Sequence, residues 1–213
     1  IDVIQPEKIE FKQNSYEDGE NSIISFPEFL LLVLDVCTGG EQPASHYQPD
    51  KLIEKFDALK TYFTAGEFYE KMLYYRLLLD YYTIRRDIKD GQGNYSLILK
   101  GPKDDSDKLK QYQSMLYVST EAFYNWLKPY LRKLEQDELH SCAEMLAFLK
   151  KGDNERHSIL PARKDLSYKA SGNIRYWFWR LDYYLWEQRS TFFNEEEQKI
   201  VCLLYTSPSP RDR

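Results

Sequence analysis

The chain is poor in the residues that carry most metal and thiol chemistry. Its 213 residues include only three cysteines and three histidines, too few and too scattered for a disulfide framework or a His/Cys zinc site. Cys37 and Cys142 stand far apart, and Cys202 falls in an atypical tail. That usage fits a reducing compartment, and a cytoplasmic protein is the expectation. No apolar run approaches the 18 or more residues of a membrane span and no signal peptide is visible, so no membrane partner is expected. Positive charge is not in excess either. The formal net charge is −5 at pH 7, and no global basic field points to nucleic acid. Asp90-Gly91-Gln92-Gly93 lacks the lysine of a phosphate loop and reads as a turn. No segment sets a nucleophile beside a base. On these grounds no catalytic, cofactor or metal residue is expected in this chain.

What the chain does have is aromatic residues: 18 Tyr, 11 Phe and 4 Trp. Such side chains combine large buried area with a polar rim, which suits helix packing and interfaces. Both ends read as incomplete. The first residue is Ile1, not methionine. The run from Cys202 to Asp212, CLLYTSPSPRD, resembles a translated sequencing-library adapter, so 202–213 is set outside the fold. That tail carries Arg211, Arg213 and Asp212, which leaves 1–201 at a net −6. The expectation is a piece of a gene with sequence missing on each side.

The pattern predicts a mainly α, multi-helix domain with one or two short strands near 83–100. Residues 1–24 are polar and read as a linker from a missing upstream domain. Ser25-Phe26-Pro27-Glu28 is a capping box that opens a helix over 26–38, apolar nearly all round and closed by Gly39-Gly40. Glu28 and Asp35 share its polar edge. A short helix over 49–59 turns Leu52, Phe56 and Leu59 inward. Thr64-Ala65-Gly66-Glu67 is a second capping box, and a long helix runs behind it to about Arg86, with Phe68, Met72, Tyr75, Leu79 and Tyr82 inside. Tyr95 to Leu99 has strand propensity. A hairpin with 83–89 is possible, although the preceding helix reads as too strong to end so early. Helices follow near 107–118, 120–134 and 136–151, the last ended by Lys150-Lys151-Gly152. Residues 153–171 read as mostly irregular, completing a helical domain over 25–171.

The stretch 173–189, NIRYWFWRLDYYLWEQR, carries two apolar faces at 100° per residue. Ile174, Trp177, Phe178, Leu181, Tyr184 and Leu185 form one, expected to pack on the chain. Tyr176, Trp179, Tyr183 and Trp186 form the other and are the candidate interface residues, in a segment (172–201) expected to lead into a missing domain. Arg180 and Glu187 fall on one flank. Left bare, the interface face predicts self-association of the fragment. His140, Cys142 and Glu144 carry metal-capable atoms, but a buried cysteine and an exposed histidine are favoured. Arg85-Arg86, Lys150-Lys151 and Arg163-Lys164 read as solvated helix ends, and Glu195, Glu196 and Glu197 as an acidic first turn.

Several segments together resemble one family. Ser25-Phe26-Pro27-Glu28-Phe29-Leu30-Leu31 with Leu52-Ile53-Glu54-Lys55-Phe56 is similar to the segment after the first domain of GmrSD-type restriction endonucleases. Ile84-Arg85-Arg86-Asp87 leading to Tyr95-Ser96-Leu97 resembles that family's helix exit and strand. Gln113-Ser114-Met115-Leu116, Val118-Ser119 and Trp126-Leu127 resemble its next helix pair, and Tyr176 to Glu187 the helix that introduces its nuclease. The resemblance spans 20–200 and implies a phage-defence protein in three parts. A ParB/sulfiredoxin-like domain uses nucleotide, a helical region follows, and a His-Me-finger nuclease cuts modified foreign DNA. Nucleoside triphosphate, divalent metal and DNA are thereby implied for the parent, with the flanking domains as partners of this region. The chain departs from the pattern at its signatures. Asp90-Gly91-Gln92-Gly93 lacks the second Gln and the Arg of the family's Asp-Gly-Gln-Gln-Arg run. His157 to Pro161 precedes the aromatic helix and holds three intervening residues where the nuclease has two, so no catalytic role passes to His157. The expected function is therefore that of the helical interdomain region, inactive by itself. The alternative is a stand-alone helical interaction module.

Overall fold

The computed structural model describes residues 19–88, 95–103, 106–119, 121–166 and 174–198. The fold is mainly α with one small antiparallel sheet. β1 (Gly19–Ser22) precedes α1 (Phe26–Cys37), α2 (Leu52–Leu59) and α3 (Ala65–Tyr82). The hairpin β2 (Ile84–Ile88) and β3 (Tyr95–Leu99) follows. Then come α4 (Ser106–Val118), α5 (Phe123–Glu135), α6 (Cys142–His157), α7 (Ile174–Glu187) and α8 (Arg189–Phe192). α1 packs on α2 and α3, α3 on α5, α5 on α6, and α4 on both α6 and α7. One continuous apolar core runs from Ile24 to Trp186.

The helix starts follow local chemistry. Ser25 and Thr64 make both halves of their capping boxes, with Glu28 and Glu67 returning to the cap backbone. Ser141 with Glu144 makes a third, which opens α6. α1 ends in a Schellman turn: Gly40 N donates to Asp35 O at 2.7 Å and Gly39 N to Val36 O at 3.2 Å. Gly39 and Gly40 have φ of 103° and 78°, where a side chain would be strained. At Gly40 a Cβ would also stand 2.4 Å from the Arg132 guanidinium.

Three elements differ from the sequence reading, each through a tertiary partner. α3 stops at Tyr82, and the hairpin forms with Ile84 opposite Leu99 and Ile88 opposite Tyr95. The buried amide of Gln113 on α4 takes both backbone groups left at the junction. It donates to Tyr82 O at 3.0 Å and accepts from Ile84 N at 2.9 Å. Residues 19–22, expected in a linker, pair with β2 instead, with Ser22 opposite Arg85. Arg86 donates to Ser22 O, and Arg85 is nearly buried, so this basic pair belongs to a central strand and not to a solvated helix end. α6 runs through Gly152 to His157 and ends at Ser158, whose φ is 66°. An interior glycine costs a helix about 1 kcal/mol, and the contacts of Asp153 described below outweigh it. The Asp-Gly-Gln-Gly turn at 90–93 lies outside the described residues.

Because the three boxes act locally, Ser25→Ala, Thr64→Ala and Ser141→Ala are each expected to cost about 0.5–2 kcal/mol. Urea midpoints that fail to shift would show that these helix starts contribute nothing to stability.

Candidate functional site

The densest polar site lies beneath α7. The inner stripe of α6 runs Cys142, Leu146, Leu149 and then Asp153, a carboxylate with no exposed surface. An uncompensated charge at such a place costs several kcal/mol, and neighbouring helices supply the donors. Tyr112 of α4 and Tyr176 of α7 both donate to Asp153 Oδ2, at 2.7 and 2.8 Å. Arg180 stands 3.7 Å from the same oxygen, and Arg156 stands 3.8 Å from Oδ1. Arg180 also donates to the Tyr176 hydroxyl, to Ser158 O and to Asn154 Oδ1.

A second latch sits one turn back along α6. Lys150 Nζ donates to both Glu187 oxygens, at 2.6 and 2.8 Å, and the Tyr183 hydroxyl donates to Glu187 at 3.0 Å. The ammonium stands over the rings of Tyr183 and Tyr112, at 5.3 and 5.9 Å. Tyr112 joins the two latches, its hydroxyl on Asp153 and its ring edge against Tyr183 at 4.9 Å. On α7 the contributing residues are Tyr176, Arg180, Tyr183 and Glu187, at i, i+4, i+7 and i+11, which one arc of a helix holds in line.

Asp153 Oδ1 accepts no hydrogen bond of its own, and Glu121 closes the rim of this seat. Glu121 accepts from Asn125 Nδ2 at 3.0 Å and pairs with Arg156 at 3.4 Å and with His157 Nε2 at 3.0 Å. Pro129 inside α5 has no N–H to give Asn125 O, and Arg156 takes that carbonyl at 2.9 Å. The His157 ring lies 4.2 Å from that of Tyr176, so this histidine helps seat α7.

Burial dominates the electrostatics here. Burial, and then the negative charge of Asp153, push the phenols of Tyr112 and Tyr176 well above the ordinary tyrosine range, so both remain donors. Burial likewise raises the Cys37 thiol, away from a reactive thiolate. Cys37 is a free thiol, and the Cys142 thiol donates to Pro102 O at 3.8 Å. Cys142 is buried and His140 exposed, with His140 N serving the Glu144 cap. Among the described residues no group of three or more His, Cys, Asp or Glu side chains is placed to hold a metal, and no helix is long and apolar enough to cross a membrane.

A parallel arrangement fastens α1. Asp35, expected on a polar edge, is fully buried. It accepts from Gln42 N at 2.9 Å, from Lys128 Nζ at 3.0 Å and from the Tyr47 hydroxyl. Beside it, buried His46 donates through Nε2 to Leu31 O at 2.8 Å, and desolvation lowers its pKa. Elsewhere an apolar cleft of about 570 Å³ opens between α1, α2 and α3, lined by Phe26, Phe56, Phe63, Phe68, Tyr69 and Met72 among others.

The expected roles of the two α7 faces are exchanged. Tyr176, Tyr183 and Trp186, read from the sequence as the outward interface, are buried, and Trp179 is half-buried against the core. Phe178, Leu181 and Tyr184, read as the inward face, are each about half exposed; only Trp177 of that face is buried. The physical reason is polar satisfaction. α6 and α4 present Asp153, Lys150 and the Tyr112 hydroxyl, and only the Tyr176/Arg180/Tyr183/Glu187 side of α7 has atoms to match them. Sequence reasoning missed Asp153 and Tyr112. The available signal was a carboxylate continuing an apolar stripe at 146, 149 and 153. No family model matches the chain, and neither any curated protein nor any solved structure shows detectable similarity to it.

Each hydrogen bond to the buried carboxylate contributes about 1.5–3 kcal/mol, so Tyr176→Phe is expected to destabilise by that amount. Asp153→Ala, which strands two phenols and a guanidinium, is expected to cost about 3–5 kcal/mol. A double-mutant cycle between them reads the coupling, and additive effects would refute the latch. The pH dependence has a definite sign. Phenols raised in the folded state stabilise it fully below the unfolded tyrosine pKa near 10, and that stability is lost as pH rises above it. In Tyr112→Phe the loss of stability between about pH 9.5 and 11 is expected to be shallower than in wild type; an unchanged slope would count against the assignment.

Proposed function

We propose that this chain is the helical interdomain region of a nucleotide-dependent endonuclease of the GmrSD type, acting in the cytoplasm on modified foreign DNA. In this reading the chain contributes no catalytic group, and nucleotide, metal and DNA are handled by the flanking domains. The observation that carries the reading is the mounting of α7. Two charged latches clamp one side of it to α4 and α6, while Phe178, Leu181 and Tyr184 stay open on the other. A helix held so firmly on one face and left apolar on the other suits a strut between two bodies. It is also the helix whose sequence resembles the one that introduces the nuclease in that family. Further support comes from the other resembling segments, which fall on discrete elements: α1, the β2–β3 hairpin and the α4–α5 pair.

The same open face suits a stand-alone interaction module, and the surrounding gene separates the two. The nuclease reading expects an Asp-Gly-Gln-Gln-Arg run encoded upstream and His-x-x-Pro downstream, and their absence from the recovered flanking sequence would sink it. In the full protein, Leu181→Asp is expected to lower DNA cleavage about tenfold or more while leaving nucleotide hydrolysis within about twofold. The chain alone is expected to show neither activity. Metal-dependent cleavage by it, lost on His157→Ala, would overturn the assignment of chemistry to other domains.

A further inference from the structure

α3 is apolar on two opposite sides. Phe68, Tyr75, Leu78 and Leu79 are buried. On the far side Tyr69, Leu73, Leu77 and Tyr81 recur every fourth residue, making one ridge along the 18-residue helix, with Tyr74 beside it. They are 64%, 62%, 59%, 47% and 42% exposed, in that order for the ridge and then Tyr74.

We propose that this ridge is the seat of a second copy of the chain, packed antiparallel through α3 about a two-fold axis. Area is the first argument. At about 150–250 Å² for each of the three tyrosines, and somewhat less for each leucine, the five side chains leave about 500 Å² open. A stable dimer needs about 800 Å² per partner, about 65% of it apolar, and the ridge supplies that share. Symmetry is the second. A ridge of residues four apart packs into the groove beside an identical ridge, and a two-fold is the simplest closed arrangement for one patch. An axis passing the middle of the helix sets Leu73 against the second copy's Leu77 and Tyr69 against its Tyr81. One exposed charge, Glu70, lies on the same arc and faces the Arg76–Asp80 pair of the second copy. Arg76 and Asp80, at the ridge edge, are paired within the helix at 2.8 Å, and Arg85 stands 3.7 Å from Asp80. One end is already packed: the Tyr81 ring rests on Gly101, where a Cβ would collide with it. An ordered aromatic loses little further freedom on association. None of this depends on α7 or on the nuclease reading.

Sedimentation velocity on the whole chain, from roughly 1 to 100 µM, is the test, and a dimer with a Kd in the micromolar range or below is expected. Leu73→Glu and Leu77→Lys lie at exposed positions, so circular dichroism should be unchanged while each raises Kd about 100-fold or more. The double variant sets Glu opposite Lys twice across the axis and is expected to recover at least about tenfold of that loss. Leu181→Lys, on the open face of α7, should leave the dimer intact. A monomer throughout the range, or a dimer that survives both single variants, would overturn the proposal. So would a double variant that recovers nothing, or a dimer dissolved by Leu181→Lys alone.

Discussion

A carboxylate taken out of water inside a helical body needs donors, and that requirement recurs at the joints of this fold. Asp35 is held by Tyr47 and Lys128 and Asp153 by Tyr112 and Tyr176 with Arg180 nearby, and the partly buried Glu135 is held in the same way by Tyr75 and Lys71. In each case a phenol and a cation from a distant part of the chain converge on one acid. Apolar burial is non-directional and lets helices meet in several rotations. A buried acid accepts only where its donors reach, so these sites select which faces meet. The abundance of tyrosine follows, because a phenol brings an apolar ring and a donor in one side chain. Burial raises those phenols and keeps them protonated.

Two helices are left with an apolar face to spare, and they differ in how they are held. α7 is fastened by latches at each end of its inner side, while α3 is buried among α1 and α5 with its ridge outward. The first arrangement suits a strut that keeps a neighbouring body at a set angle. The second suits an extended seam with a copy of itself. The latch around fully buried Asp153 couples α7 to α6 and α4 most directly, since withdrawing Tyr176 or Tyr112 strips a donor from a buried carboxylate.

Much of the fold was legible because it rests on local rules. The capping boxes at Ser25 and Thr64 and the glycine exit after Cys37 work within a few residues, and the structure has them where the pattern predicts. The inner faces of α3 and α5 followed from periodicity in the same way. The misses share one cause. The stop of α3 depends on the Gln113 amide, 31 residues beyond Tyr82. The passage of α6 through Gly152 depends on tyrosines of α4 and α7 closing on Asp153. The pairing of 19–22 depends on β2, more than sixty residues downstream.

The sequence alone determined that this would be a helical body with one or two short strands near 83–100, and that the aromatic helix would have two distinct faces. Those are properties of period, propensity and nearest-neighbour hydrogen bonds, which a chain carries with it wherever it folds. Which face of that helix turns inward was decided only by tertiary structure. Both faces are apolar, so apolarity by itself did not choose between them. The choice fell to Asp153 and Lys150, two charges on another helix that only Tyr176, Tyr183, Arg180 and Glu187 could satisfy.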